Sequence, residues 1–290
     1  MGGGFDVERT GTRGQVAIGK SGLPSPGRPG PHYCDTLGDM CGRFANVASA
    51  ADLTDEFDVG ETIGDELPPS WNIAPTDPVR VIMQRRPRDS GSDTAPMIQL
   101  RTVQWGLVPN WSRTRTGPAK MINTRSESLA TKPTFKTTAA RRRCLVPALG
   151  YYEWQRTDQG KVAHFLHHPD SSQLLAFAGL YELWRDPDLP DDNPNKWLWT
   201  CSIITQPAAD VLGHIHDRCP VIVPAHLRHA WLDCSSEDPA TAQQLLEQIP
   251  EAHLQPDVVS PDVGNVRNNR PDLIAPIDPA QHPDQERLQL

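Results

Sequence analysis

The residue best suited to covalent chemistry in this chain is a cysteine that follows an internal methionine. Cys41 belongs to the segment Met40-Cys41-Gly42-Arg43-Phe44-Ala45, where the composition of the chain changes abruptly. If Met40 is the initiator and is removed, Cys41 carries a free α-amino group beside its thiol. This 1,2-aminothiol is a reactive group that no internal cysteine can present. The alternative is an ordinary buried cysteine, because Cys is among the residue types most often found in protein cores.

The 39 residues before Met40 have a different character from the rest of the chain. They are rich in Gly, Pro and Ser and show no apolar periodicity, so they bury too little apolar surface to offset the entropy of ordering. We therefore expect residues 1–39 to be a disordered leader that is absent from the working protein. Either Met40 is the true start, or the leader is made and later removed. An uncleaved leader would give Cys41 an amide in place of the amine.

Two other segments carry groups suited to acid–base chemistry. Glu153 follows the apolar run 144–148 and lies between aromatic residues in Tyr151-Tyr152-Glu153-Trp154. Such surroundings raise the pKa of a carboxyl group and favour general acid–base catalysis, although a surface glutamate in a turn is the alternative. His216 follows another histidine two residues earlier, but no third ligand has the spacing of a metal site. We interpret His216 as a catalytic or phosphate-contacting histidine.

The distribution of charge has two possible meanings. The chain carries a formal charge of −8, which taken alone argues against nucleic-acid binding. Residues 80–161, however, hold 16 Lys or Arg against 5 Asp or Glu, a local charge of +11. This stretch indicates either one face made for an anion or charges that balance in three dimensions.

Aromatic and polar residues in the same stretch are typical of a single-strand binder. Trp105 and Trp111 lie close in sequence to several cations, a combination that lets bases stack on rings while charges follow the phosphates. The alternative is that these tryptophans belong to the core. Asn123 and Arg125 are two residues apart on a segment predicted to be extended, so they face the same way. Both can bind a phosphate or a sugar hydroxyl.

The apolar pattern predicts short strands and short helices, in keeping with 29 prolines. Residues 79–83 and 98–105 are predicted to form a hairpin. Residues 49–56 are predicted to form a helix with Ser49 as its N-cap, and residues 135–143 a second helix. The proline-rich segment 68–76 is predicted to be an ordered loop with an exposed Trp71.

Several function classes do not fit the sequence. No apolar run approaches the roughly 20 residues of a membrane span, and the leader lacks the apolar core of a signal peptide, so we expect a cytoplasmic protein. The six cysteines lack CxxC spacing and predict free thiols without a disulfide frame or a zinc site. Neither a GxxxxGK[ST] loop nor a GxGxxG motif is present, which argues against a nucleotide cofactor. We expect no cofactor and no metal.

Seven motifs in order resemble the SRAP family (SOS-response-associated peptidase, abasic-site processing proteins). Any one is weak, but together they run from Met40 to about Pro276. They are Met40-Cys41-Gly42-Arg43-Phe44, Trp71-Asn72-Ile73-Ala74-Pro75-Thr76, Trp105-Gly106-Leu107-Val108-Pro109, Asn123-Thr124-Arg125-Ser126-Glu127, Gly150-Tyr151-Tyr152-Glu153-Trp154, His216-Asp217-Arg218-Cys219-Pro220 and Val263-Gly264-Asn265-Val266. Two departures are the 39-residue leader before Met40 and a cysteine at position 219, where the family often has Met or Arg.

The resemblance implies a protein of the DNA damage (SOS) response that binds abasic sites in single-stranded DNA and traps the ring-opened aldehyde covalently as a thiazolidine. AP-lyase activity and reversal of the crosslink would be possible further activities. Carried over by position, Cys41 would be the nucleophile, Glu153 and His216 the acid–base residues, and Asn123 would help to hold the site. The residues implied in DNA binding are Arg43, Trp71, Asn72, Trp111 and Arg125.

The expected fold is α+β, with mixed, largely antiparallel, curved and barrel-like β-sheets and short peripheral helices. A single SRAP-like domain would cover residues 40–277, and residues 278–290 would be a disordered tail. We expect a monomer, located in the cytoplasm and associated with the nucleoid when bound to damage.

Two rival functions remain open from the sequence. A cysteine-type (auto)peptidase would use Cys41 with His216 and either Asn123 or Glu153. Peptide cleavage gives no reason for a basic groove that bears tryptophans, although removal of the leader by self-cleavage would reconcile both functions. The other rival is a non-enzymatic single-strand binder in which Cys41 is inert.

Overall fold

The computed structural model describes residues 1, 42–86, 95–115, 121–129, 131–208, 213–233, 235, 238 and 240–278. Cys41, nearly all of the predicted leader and residues 279–290 lie outside the described residues. Chain contacts separate residues 1–36 from a unit of residues 37–290, which holds the helices and strands of the described part. None of these helices has the length and apolar character needed to cross a bilayer.

The described residues form β-strands and short helices in alternation. The strands are β1 (Phe44–Asn46), β2 (Glu61–Ile63), β3 (Ser70–Ile73), β4 (Pro78–Arg85), β5 (Met97–Trp105), β6 (Asn123–Arg125), β7 (Arg143–Ala148), β8 (Gly150–Thr157), β9 (Gly160–His167), β10 (Leu175–Arg185), β11 (Trp197–Pro207), β12 (Arg218–Pro220) and β13 (Gln255–Val258). The α-helices are α1 (Ala50–Glu56), α2 (Pro133–Arg141), α3 (Ala225–Leu232) and α4 (Ala240–Gln248). Short 3-10 helices cover Ser126–Ser128, Pro261–Gly264 and Pro271–Ile274.

Five strands close into a barrel. β4 and β5 pair antiparallel along their whole length, which confirms the predicted hairpin. β4 also pairs with β7, β7 with β10 and β10 with β11, all antiparallel. Parallel pairing of Thr200 in β11 with Gln104 in β5 completes the ring. The predicted α+β class with a barrel-like sheet is therefore confirmed.

The two open ends of this barrel are distinguished by which strands begin and end there. At one end, which we call the near mouth, β5, β7 and β11 end while β4 and β10 begin. At the other end, the far mouth, β4 and β10 end at Arg85 and Arg185, and β11 begins at Trp197. β6 and β12 both pair with β11 close to its final residues, so they belong to the near mouth.

A second sheet of five strands, in the order β13-β9-β8-β1-β3, lies against the near mouth. β8 follows the barrel strand β7 after one residue, so the chain passes directly from the barrel into this sheet. Aromatic rings join the two sheets: the Phe44 ring centroid lies 5.0 Å from that of Trp105 and 6.0 Å from that of Phe177. Gly150 is the first residue of β8, where the chain enters the second sheet, and a Cβ at this position would lie 2.5 Å from the ring of Phe165. Only glycine fits there.

Apolar side chains pack on both faces of the barrel wall. One cluster joins outward-facing strand residues such as Ile82 and Ala178 to helix residues such as Leu53 and Trp231. The other joins alternate strand residues such as Val81 to residues of the second sheet such as Tyr151. This alternation along each strand is why a sequence with few long apolar runs still builds a core.

Three local predictions are corrected or refined. The segment 68–76 contains the strand β3, because prolines flank residues 70–73 and leave their backbone free to pair with β1. The second helix ends at Arg141, two residues earlier than predicted, because Arg143 already begins β7. Ser49 caps α1 as predicted, and Asp52 reciprocates with a hydrogen bond to the backbone of the cap.

Candidate active site at the near mouth of the barrel

Asn123 and Arg125 lie at the end of β11, on the parallel strand β6. Asn123 is level with Ile203, and Arg125 with Thr205. The prediction that this segment is extended is confirmed. The indole of Trp105 donates a hydrogen bond to the carbonyl of Ile122 at 3.0 Å and so fixes the entry to β6. Asn123 is partly exposed and Arg125 is exposed.

Arg218 holds β6 and β12 together across the end of β11. Its two terminal nitrogens each donate to a carboxylate oxygen of Glu127 at 3.0 Å, and one also donates to the carbonyl of Thr205 at 2.7 Å. The hydrogen bonds from Arg218 lower the pKa of Glu127 to about 2. The sequence did not predict this paired contact between Arg218 and Glu127. The sequence signal for it is that an acidic residue, Glu127, follows Asn123 and Arg125.

His216 lies two residues before the start of β12, and its side chain is 12% exposed. Its Nδ1 lies 3.2 Å from Oδ1 of Asp217 and 3.1 Å from the backbone nitrogen of Arg218. Both contacts engage the same ring nitrogen, so Nε2 is the nitrogen through which His216 can meet a substrate. The residues described contain no group of three or more His, Cys, Asp or Glu placed to hold a metal ion.

Glu153 reaches this region from the second sheet. It lies on β8 opposite His164 of β9, and only 5% of its surface is exposed. The predicted surface-turn alternative is therefore wrong: Glu153 is a buried strand residue. The pKa of Cys219 is raised to about 11, first by burial and then by the charges of Glu251 and, to a smaller extent, Glu153. The hydrogen bond from Gln155, two residues along β8, to the carbonyl of His214 links the strand of Glu153 to the segment that carries His216.

A polar bridge ties the second sheet to the segment that carries His216. The Gln155 side chain lies two residues from Glu153 on the same face of β8. Its oxygen is 3.2 Å from Nε2 of His164, and its nitrogen donates to the carbonyl of His214 at 3.4 Å. Burial and the nearby His214 lower the pKa of His164.

Arg43 and Asn72 are buried and hold the segment 263–268 against β1. The Arg43 guanidinium donates to the Asn72 side-chain oxygen at 3.0 Å and to the carbonyl of Val263 at 2.9 Å. The Asn72 amide donates to the carbonyls of Val263, Asn265 and Asn268 at 3.1, 3.1 and 2.8 Å. These contacts fix β1, which begins three residues after Cys41.

The register between β1 and β8 shows where that strand leads. Phe44 is level with Tyr151, and the Tyr152 backbone nitrogen donates to the Arg43 carbonyl at 3.0 Å. Continued by one pair, this antiparallel register brings Gly42 level with Glu153. The chain therefore approaches the buried carboxylate as it is followed back toward Cys41.

The three cysteines within the described residues are unsuited to nucleophilic attack. Cys144, Cys201 and Cys219 are all buried and reduced. Burial raises the pKa of each thiol, so the reactive thiolate is disfavoured.

The predicted aromatic and basic groups divide between surface and interior. Trp111 is 68% exposed, whereas Trp105 is a core residue, the alternative weighed for it above. Trp71 is half-buried, and its backbone nitrogen donates to the Asn269 side chain at 2.7 Å. Of the basic stretch 80–161, Arg80 and Arg143 are buried and donate to backbone carbonyls. The local charge of that stretch therefore overstates the cations available to a ligand.

Comparison with known proteins assigns the chain to a family. The family model described as "SOS response associated peptidase (SRAP)" matches residues 40–266. The abasic site processing protein YoqW of Bacillus subtilis is 35% identical over 236 residues, covering 81% of this chain and 99% of that protein. The abasic site processing protein HMCES of Gallus gallus is 28% identical, covering 82% and 78%.

Solved structures show the same fold. A protein from Bacteroides thetaiotaomicron matches with a TM-score of 0.64 at 21% identity, covering 82% of this chain and 100% of that one. A protein from Bordetella bronchiseptica matches with a TM-score of 0.59, covering 76% and 100%. With the family match over most of its length and the relationship to YoqW, this chain belongs to the SRAP family.

Proposed function

We propose that this chain captures abasic sites in single-stranded DNA through a covalent bond between Cys41 and the ring-opened sugar. The observation that carries the proposal is that β1 pairs with β8, the strand of Glu153, and that Gln155 on the same strand contacts the carbonyl of His214, two residues before His216. The SRAP family and the printed names of YoqW and HMCES support the choice of substrate. The protein would act in the cytoplasm, at damaged DNA.

The chemistry uses both groups of an N-terminal cysteine. The neutral α-amine, of ordinary pKa about 7.7–8.0, attacks the aldehyde carbon, and loss of one water gives an imine. The thiol sulfur then adds to the imine carbon while the thiol proton passes to nitrogen, which closes a five-membered thiazolidine. Because amine and thiol must belong to one residue for this ring, only Cys41 at a free N-terminus can perform the reaction.

Glu153 and His216 supply the proton transfers. Glu153 donates a proton to the departing hydroxyl during imine formation and takes one back when the crosslink reverses. His216, through Nε2, protonates the sugar oxygen during ring opening or contacts the 3′ phosphate. The imine also acidifies the neighbouring carbon, so loss of that proton with the 3′ phosphate gives a strand-cleaving side reaction.

The residues that contact DNA differ from the residues that position the site. Asn123, Arg125 and Trp111 have the exposure needed to contact sugar, phosphate and base. Arg43 and Asn72 contribute by fixing β1 through the segment 263–268, which makes them positioning residues. Phosphate contacts predict binding that weakens as salt rises.

A second candidate function is cysteine-type autoproteolysis. The observation that favours it is the 3.2 Å contact between Asp217 and Nδ1 of His216, because a carboxylate beside an imidazole is part of a thiol protease relay. Cleavage before Cys41 would remove the leader and expose the amine. This activity would prepare the capture chemistry rather than replace it.

The test compares two versions of the chain, one beginning at Met1 and one at Met40, each mixed with single-stranded DNA that carries one abasic site. On a denaturing gel, the shorter version is expected to give a shifted band that Cys41→Ala abolishes. DNA without the lesion is the matched control. The longer version should give the band only if its leader has been removed, which mass spectrometry measures. No shifted band from the Met40 version would overturn the proposal.

A further inference from the structure

The far mouth of the barrel carries a basic and aromatic cleft that the proposed capture chemistry does not use. The cleft has a volume of about 450 Å³. Its walls combine three guanidinium groups, two aromatic rings and one amide, contributed by Arg85, Arg142, Arg185, Tyr181, Trp197 and Asn110. A lining of this kind suits a ligand that has both an anionic and a flat apolar part.

The cleft is separate from the site at the near mouth. Trp197 begins β11, and Ile203, the partner of Asn123, lies six residues further along the same strand. At about 3.3 Å per residue the two positions are about 20 Å apart. Antiparallel pairing also brings the ends of β4 and β10 to the far mouth, so Arg85 and Arg185 meet there without local sequence proximity.

The guanidinium groups of the cleft keep capacity for an anion. Arg142 is paired with the buried Glu182, and Arg185 with Asp191, whose side chain is 79% exposed. A guanidinium has five N–H donors, so a single carboxylate contact leaves others for a phosphate. The Arg185–Asp191 pair is open to water and is therefore weak enough to be exchanged for a ligand contact.

At the far mouth, arginine side chains and a tyrosine ring lie against the ring of Trp199. Arg85 and Arg101 lie 4.8 and 3.8 Å from the centroid of the Trp199 ring, which itself stacks on Tyr181 at 5.9 Å. Trp197, the neighbouring aromatic on the same strand face, is 43% exposed. The exposed part of this side chain can contact a base bound in the cleft.

We propose that the far mouth is a second binding site, for a nucleoside phosphate. Arg85 and Arg185 bind the phosphate, the base stacks on Trp197, and the Asn110 amide reaches the edge of the base. The same chemistry is presented by one nucleotide of a DNA strand and by a free nucleotide. The site does not involve Cys41, so this proposal is independent of the proposal of covalent capture.

The experiment titrates the full chain with thymidine monophosphate and, separately, with inorganic phosphate, followed by calorimetry. Thymidine monophosphate is expected to bind more tightly than phosphate. Its affinity should fall at least tenfold in the double variant Arg85→Ala/Arg185→Ala and in Trp197→Ala. Arg156→Ala, at an exposed position on the second sheet, is the matched control and should bind as the parent does. Equal melting temperatures establish that the variants fold.

A second titration, with an oligothymidylate that contains no abasic site, identifies the source of the nucleotide. If a DNA strand occupies the cleft, the double variant loses affinity for the oligonucleotide as well. If a free nucleotide is the ligand, only binding of the monophosphate falls. Absence of monophosphate binding, or binding that both variants leave unchanged, overturns the proposal. Covalent capture measured on the same variants shows whether the near mouth still works.

Discussion

Replacing Asn72 tests whether this side chain holds the protein together or touches DNA. Its amide nitrogen donates to three backbone carbonyls, and its oxygen accepts from Arg43 at 3.0 Å. The carbonyl of Val263 keeps a second donor when Asn72 is truncated, because Arg43 also reaches it at 2.9 Å. The carbonyl of Asn265 keeps a backbone donor at 3.0 Å. The main losses are therefore the contact to Asn268 and one acceptor of the Arg43 guanidinium, which keeps the carbonyl of Val263.

The size of the effect follows from these contacts. A neutral buried hydrogen bond contributes about 1 kcal/mol net, and one to a charged group about 1.5–3 kcal/mol. We therefore expect Asn72→Ala to lower the free energy of unfolding by about 3 kcal/mol, a large part of the roughly 5–15 kcal/mol typical of domains. Asn72→Asp keeps an acceptor for Arg43 but turns an oxygen toward three carbonyls, so it should cost at least as much.

Urea unfolding followed by tryptophan fluorescence measures the loss, with the slope m checked for constancy. Asn195→Ala, at an exposed position in the loop between β10 and β11, is the control and should change the free energy by less than about 0.5 kcal/mol. DNA capture is measured on the same proteins at temperatures where both are folded. If Asn72→Ala leaves stability unchanged yet abolishes capture, Asn72 contacts DNA directly and the positioning role is refuted.

Three further outcomes are expected. Gly150→Ala should destabilise the protein by about 1–3 kcal/mol, because the new Cβ would lie 2.5 and 2.6 Å from a ring carbon and a carbonyl, whereas Gly264→Ala meets nothing within 4 Å; thermal melting compares them. Glu127 has a pKa lowered from 4.5 to about 2, so its stabilising effect is complete above pH 4.5 and disappears as pH falls through 2. Glu127→Gln, whose cost we place below about 1 kcal/mol because the carboxylate is half exposed, should therefore match the parent in strong acid, and a cost that stays at its neutral-pH size as pH falls through 2 would contradict this reasoning. Glu153→Gln should slow covalent capture by about 10²-fold or more while Glu247→Gln, on the exposed face of α4, leaves the rate unchanged, as quenched time courses on denaturing gels would show.

Sequence patterns predicted the parts of the fold that depend on neighbours in the chain. The β4–β5 hairpin has strong alternation and a polar turn, and the α1 cap has a serine and an aspartate three apart. The segment 68–76 was misjudged because its prolines dominate its composition, although residues 70–73 contain none. The fate of a proline-flanked strand depends on whether a partner strand is available, which is a property of the tertiary structure.

The candidate acid–base residues could be proposed from the sequence, but the contacts that hold them in place could not. Glu153 and His216 stand in unusual local surroundings, which made them visible in the sequence. Arg43, by contrast, donates to a carbonyl 220 positions away, and no local pattern announces such a contact. The cleft at the far mouth was hidden for the same reason, because its arginines meet only when the barrel closes.

The candidate residues at the near mouth are held in place by contacts of very different strength. Glu153 stands on β8, which continues a barrel strand, and His216 precedes β12, which Arg218 fastens to β11. Cys41 instead precedes a three-residue strand, which the buried Arg43 holds through the segment 263–268. The proposed acid–base residues are therefore held by strands joined to the barrel, whereas the proposed nucleophile depends on the contacts of Arg43 with the segment 263–268. Weakening these contacts of Arg43 should impair capture before it disturbs Glu153 or His216.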